Sequence, residues 1–163
     1  MHRLHESLSE RIMKQHFEVL SEGLEFDLWA NRRWFGYLQS QGWPEPDRTI
    51  FQHVMAAQDV WQQRCFGGSP TAMPVFEPTE GKLVDLHEGW QKILVAREDD
   101  PLIHFHRITG EAGHLRLSQI IGHVIDHGTY HRGELRGLCR GRGLEDFPET
   151  GLAMYYSTLT APA

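Results

Sequence analysis

Cysteine is scarce in this chain, with Cys65 and Cys139 standing far apart and in no CxxC pair. That excludes a disulfide framework and a thiolate zinc site, and reads as two reduced thiols. Long apolar runs are missing as well: none approaches the roughly 20 residues needed to cross a bilayer. The opening residues hold no apolar stretch suited to a secretory signal, so the expectation is a cytoplasmic protein without a membrane partner. Excess positive charge is the third absence, since 16 Lys and Arg face 22 acids for a net charge of −6. No general attraction to phosphate backbones follows, and no nucleic-acid partner is expected.

Repeats and low-complexity tracts are absent too, and 40% hydrophobic with 23% charged residues is an ordinary globular balance. Residues 1–163 are therefore read as a single domain. What the chain does have is 11 histidines and 5 tryptophans. Imidazole titrates near neutral pH and ligates metals, so the placement of the histidines carries the argument.

Helical periodicity fills four long segments between Pro and Gly clusters. Phe17, Leu20, Leu24, Leu28, Phe35 and Leu38 predict a first helix over about 12–41, stopped by Gly42, Trp43 and Pro44. Ile50, Val54, Ala57 and Trp61 predict a second, capped by Asp47 or Thr49 and ended at Gly67 and Gly68. A third follows a Pro-rich connector, over 82–99, with Leu83, Leu86, Trp90 and Leu94 in register. Residues 102–110 alternate and are rich in β-branched and aromatic types, which predicts a short hairpin with Gly110 and Gly113 as turn points. A fourth helix is read over 116–140 and a short last one over 150–159. The resulting expectation is all-α: an up-and-down four-helix bundle, a β-hairpin before the fourth helix, a short C-terminal helix, and connectors long enough for crossovers.

His123, His127 and His131 recur every fourth residue on the fourth helix. Residues four apart lie roughly 6 Å apart along the axis and on one face, so two such imidazoles can reach one ion. All three cannot, because eight residues rise roughly 12 Å while a ligand nitrogen sits about 2.1 Å from the metal. Spacing alone leaves the pairs 123/127 and 127/131 equally acceptable, with His127 in both. Gly133, costing about 1 kcal/mol against alanine in a helix, suggests close packing or a site beside His131. A third ligand must come from another helix, and His53, between Phe51 and Val54 on a helix that packs inward, is the best candidate. His16, His87, His104, His106 and His114 are its rivals, His104 and His106 sharing one face of a strand.

The segment 123–135, His-Val-Ile-Asp-His-Gly-Thr-Tyr-His-Arg-Gly-Glu-Leu, resembles the signature of the DinB-like metalloproteins, the damage-inducible, YfiT-type four-helix superfamily. Trp-Ala-Asn-Arg-Arg at 29–33, Phe-Gln-His-Val-Met-Ala-Ala-Gln-Asp-Val-Trp at 51–61 and the Gly-containing hairpin are similar to that family's layout. The resemblance spans nearly the whole chain, while Pro-Glu-Thr-Gly-Leu-Ala at 148–153 departs from the acidic, Tyr-rich lead-in usual before the closing helix around Met154, Tyr155 and Tyr156. It implies a homodimer and a nickel, zinc or related divalent ion such as iron on one histidine of the second helix and two of the fourth. Carried over by position, these are His53, His127 and His131, with His123 a neighbour.

A three-histidine site leaves a coordination position for water or substrate, unlike a closed structural site. Hydrolysis through an activated water and transfer involving a bound thiolate are both open to it. The resemblance implies a small-molecule substrate, including low-molecular-weight thiols such as mycothiol or bacillithiol. The alternative is a non-enzymatic stress-response or binding module in which the metal pins two helices together. Asp126 and Glu134 are the nearest carboxylates, Gln52 and Asp59 flank His53, and Arg132 is read as pairing with a carboxylate across helices. The locally basic stretch 136–142 reads as a helix C-terminus.

Overall fold

The computed structural model describes residues 7–95, 97 and 99–160. In chain order it holds α1 (Leu8–Ser40), α2 (Asp47–Cys65), α3 (Glu80–Leu94), β1 (Leu102–His106), β2 (Ala112–Arg116), α4 (Leu117–Gly141) and α5 (Leu152–Thr160). The expected helical bundle, with its hairpin before the fourth helix and its short last helix, is present.

The helix ends show what stops and starts each segment. α1 begins four residues earlier than its apolar stripe because Ser7 and Glu10 form a reciprocal capping box, Glu10 N–H donating to Ser7 Oγ at 3.2 Å. α2 begins after Pro46 with no side-chain cap, contrary to the expected role of Asp47 or Thr49. Asp47 is instead buried and accepts from Arg142 at 2.9 Å, joining the start of α2 to the end of α4. Thr49 donates to Glu45. Thr79 caps α3, which ends at Leu94 rather than reaching residue 99. The apolar register stops there, leaving Arg-Glu-Asp-Asp-Pro without a face to bury.

Contacts between helices fix their directions. Asp27 and Gly23 of α1 meet Arg132 and Ile125 of α4, so these two run parallel. Lys82 and Leu86 of α3 meet Asp59 and Gln62 of α2, so these also run parallel. Each pair is antiparallel to the other, as Asp47–Arg142 and Glu25–His87 require. The connection from α2 to α3 is therefore a crossover, for which residues 66–79 are ample: they reach at most about 50 Å, against roughly 28 Å for the length of α2.

Two apolar halves fill the bundle. Phe17, Leu24, Trp90, Ile93, Leu117, Ile120, Ile121 and Val124 form one. Trp34, Leu38, Phe51, Met55, Leu83, Leu86, Leu135 and Cys139 form the other. Between them lies a buried polar layer to which all four helices contribute. Arg132 donates to Asp27 at 2.6 Å and to Asn31 at 2.7 Å, Gln58 donates to Asp27 at 2.8 Å, and Trp90 donates to Gln58 at 3.2 Å. An uncompensated Arg132 at 3% exposure would be costly, and Asp27 at 2% supplies its counter-charge. The expected interhelical pairing of Arg132 is present.

The hairpin pairs His104 with His114 and Phe105 with Gly113. Gly110, with φ of 93°, makes the turn. Gly113 is not a turn residue but a strand position, where a Cβ would lie 2.9 Å from Phe105 Cζ. The hairpin lays Phe105 inward against Trp61 at the end of α2.

Candidate metal centre

The polar layer fixes the height at which α2 and α4 face each other, and the histidines sit just beside it. His131 immediately precedes Arg132, and His53 is five residues before Gln58 on the antiparallel partner. One imidazole from α2 and two from α4 thus enter the same groove. His53 Nε2 lies 3.1 Å from His127 Nε2, which lies 3.2 Å from His131 Nε2. One nitrogen from each of the three falls within 4.8 Å of the others. Two nitrogens about 2.1 Å from a shared ion are separated by about 3.0 Å at a right angle and about 3.4 Å at a tetrahedral angle. The His53–His127 and His127–His131 separations fall between these, and with the third pair inside 4.8 Å the cluster lies within metal-binding distance.

Protonation agrees with that fit. Glu134 Oε2 lies 2.8 Å from His131 Nδ1. A carboxylate only accepts, so Nδ1 carries the proton and Nε2 keeps its lone pair toward the cluster. Burial, then the neighbouring His131, His53 and His123, pushes the pKa of His127 down to about 4. Burial and His131 also lower His53, against a smaller opposing pull from Glu134. Both are neutral at pH 7, the state a metal ligand requires.

The remaining expected residues sort themselves by contact. His123 lies beside the cluster, its ring 5.7 Å from that of His127 and 5.4 Å from that of Trp61. His53 stands on the exposed rim rather than facing inward, so the centre opens to solvent on that side. His87 pairs with Glu25, and His104 faces His114 across the hairpin with tilted rings 5.8 Å apart. Asp126 and Tyr130 are both exposed, and the Tyr130 ring lies edge-on to His131 with centroids 5.0 Å apart. Gln52 donates to the carbonyl of Phe76, and Asp59 accepts from Lys82 and Gln63, so neither holds His53. In the basic stretch, Arg136 pairs with Glu149 and Arg142 with Asp47.

Close packing at Gly133 is not found, since a Cβ there meets nothing within 4 Å, although the residue does lie two positions from His131 of the cluster. The glycine under pressure is Gly128, where a Cβ would stand 2.4 Å from Asp27 Oδ1 and 2.9 Å from an Arg132 nitrogen. Sequence reasoning also passed over Asp27, Asn31 and Gln58, although polar residues four apart on the apolar stripe of α1 were a visible signal. Arg64 was missed with less excuse-giving pattern, since a lone arginine near a helix end looks solvated until its burial is seen.

No protein-family model matches the chain, and no curated protein matches it either. The class that fold and site define is a helical bundle with a three-histidine cluster within metal-binding distance.

Proposed function

We propose that this chain is a DinB-like metalloprotein whose His53, His127 and His131 hold one divalent ion, zinc or nickel foremost, as the centre of a metal-dependent hydrolase or low-molecular-weight-thiol S-transferase. The convergence of three imidazole nitrogens from two helices, with Glu134 behind one of them, carries the reading. When bound, the ion supplies a Lewis acid with a position free for water, a carbonyl or a thiol.

The chain's own residues do the positioning. Glu134 fixes the tautomer and ring orientation of His131, and the buried layer of Asp27, Asn31, Gln58 and Arg132 fixes the register of α2 against α4. Exposure of His53 leaves the small-molecule substrate an approach from the rim. Three protein ligands with one on the exposed rim support a catalytic over a structural site, since structural zinc sites are closed by four. A homodimer is part of the same proposal and is supported by the resemblance of the 123–135 motif.

Elemental analysis of the purified protein and of His53→Ala, His127→Ala and His131→Ala tests it. One equivalent of metal in the parent and loss in each variant is expected, and full retention in all three variants ends the reading. Cobalt-substituted protein separates the two classes: a visible spectrum that shifts on adding a small thiol supports an open catalytic position, and an inert four-coordinate spectrum supports the helix-pinning role.

A further inference from the structure

Among the described residues, one buried charge has no counter-charge. Arg64, near the end of α2, is 6% exposed, and its Nε–H is buried without a hydrogen-bond partner. Among the described residues it forms no ion pair with a carboxylate, in contrast to Arg132 on Asp27. Its guanidinium lies in the corner of two rings that meet at 78°, 4.5 Å from the centre of Trp61 and 5.1 Å from that of Phe105. Aromatic rings attract the cation but accept none of its N–H hydrogen bonds in the way an oxygen does, so the donors remain to be satisfied. Arg107, in the hairpin turn and paired at 3.9 Å with the exposed Glu111, adds a second positive charge close enough to repel Arg64; burial first, and that repulsion second, lower the pKa of Arg64. Burying a cation and placing another beside it is unfavourable unless an anion completes the set.

The location connects this charge to the metal centre. Arg64 touches Trp61, the Trp61 ring is 5.4 Å from His123, and His123 is 5.7 Å from His127. Arg64 and His53 are eleven positions apart on α2, roughly 16 Å of rise, and side chains lean toward a helix N-terminus, which brings the guanidinium back toward the histidines. Arg64, Trp61, His123 and the cluster therefore form a line of neighbouring side chains that runs from the hairpin end of α2 to the histidines.

We propose that Arg64, assisted by Arg107, is an oxyanion-binding subsite, and that the small molecule used at the metal centre carries a carboxylate or phosphate at the Arg64 end and its reacting group at the histidines. The assignment of this subsite to a substrate rests on the metal-centre reading; the binding of an oxyanion at Arg64 stands independently of it.

Proton–nitrogen NMR of the arginine Nε–H groups tests the subsite directly, with succinate and inorganic phosphate as probes and succinamide and chloride as controls at constant ionic strength. One Nε–H signal, assigned by its disappearance in Arg64→Gln, is expected to move saturably with at least one oxyanion and not with the controls. Response to succinate alone assigns a carboxylate, response to phosphate alone a phosphate, and both support the proposal. Calorimetry should show affinity falling about tenfold to a hundredfold in Arg64→Gln, with partial rescue by Arg64→Lys. The absence of a saturable response in the parent, or equal affinity in Arg64→Gln with unchanged circular dichroism, overturns it. Should Arg64→Gln not fold, Arg107→Ala, altering an exposed residue, must weaken binding, and unchanged affinity there counts against the subsite. Repeating the titration in His127→Ala separates the two readings: loss of metal with the Arg64 response intact leaves the subsite standing, and intact metal without an Arg64 response removes the subsite alone.

Discussion

Glu134 acts on the centre through one hydrogen bond to His131 Nδ1, and such outer partners of metal ligands typically change affinity by about 10–100-fold when removed. Glu134→Ala should weaken zinc binding by that factor in competition with a chromophoric chelator, with helix content unchanged, because Glu134 is exposed and packs nothing. Affinity equal to the parent would show that the bond does not orient the ring. Cys65 makes a second prediction at this scale. Burial raises its thiol pKa to about 11, only partly offset by Arg97, so the thiolate is scarce near neutrality. Alkylation by iodoacetamide, followed by mass spectrometry, should be slow at pH 7.5 and accelerate as pH rises toward that value; rapid modification at pH 7.5 would contradict the burial. At this scale the histidine stripe was legible because its spacing is a helical repeat. The choice of 127/131 over 123/127 came only through the family resemblance and not from spacing, since it depends on where α2 sits and not on α4. Asp27 and Asn31 were visible as polar residues on the apolar stripe of α1, but their pairing with Gln58 and Arg132 was not, because it depends on how the helices pack.

Between elements, the decisive contact is the passage of α1 across Gly128 of α4. Gly128→Ala puts a methyl group against Asp27 and Arg132, and overpacking of this kind costs about 1–3 kcal/mol. Gly133→Ala, in open space on the same helix, should stabilise by about 0.5–1 kcal/mol through helix propensity. Urea unfolding of the two variants checks the contrast, and equal effects would deny that the layer is tightly packed. Asp27→Ala leaves Arg132 buried without its counter-charge, and breaking such a pair costs about 3–5 kcal/mol. Replacing both partners by apolar residues should destabilise less than Asp27→Ala alone, which a double-mutant cycle measures. Element existence was readable from periodicity throughout, whereas ends were set by contacts the pattern does not carry. The Ser7–Glu10 box lengthens α1, Arg142 takes Asp47 from capping duty, and the ring of Phe105 turns Gly113 into a strand residue. The parallel pairing of α1 with α4 was hidden because connector length permits a crossover without requiring one.

For the whole molecule, an ion held by His53 on α2 and by His127 and His131 on α4 would join the two antiparallel helices. Metal that binds the folded chain more tightly than the unfolded one stabilises by about 4 kcal/mol at a thousandfold excess over Kd. In a domain of this size each kcal/mol moves Tm by roughly 2–4 °C, so saturating zinc should raise Tm by roughly 8–16 °C. The unfolded chain offers the same 11 histidines, which compete and place the observed shift toward the lower figure. His53→Ala breaks the link from α2 while leaving the pair on α4, and should lose most of the shift. His104→Ala removes an imidazole from the exposed face of the hairpin, away from the cluster, and should keep it. Equal shifts in His53→Ala and His104→Ala would mean that zinc stabilises through scattered surface imidazoles, because only a shared centre makes the loss of one ligand on α2 felt by both helices.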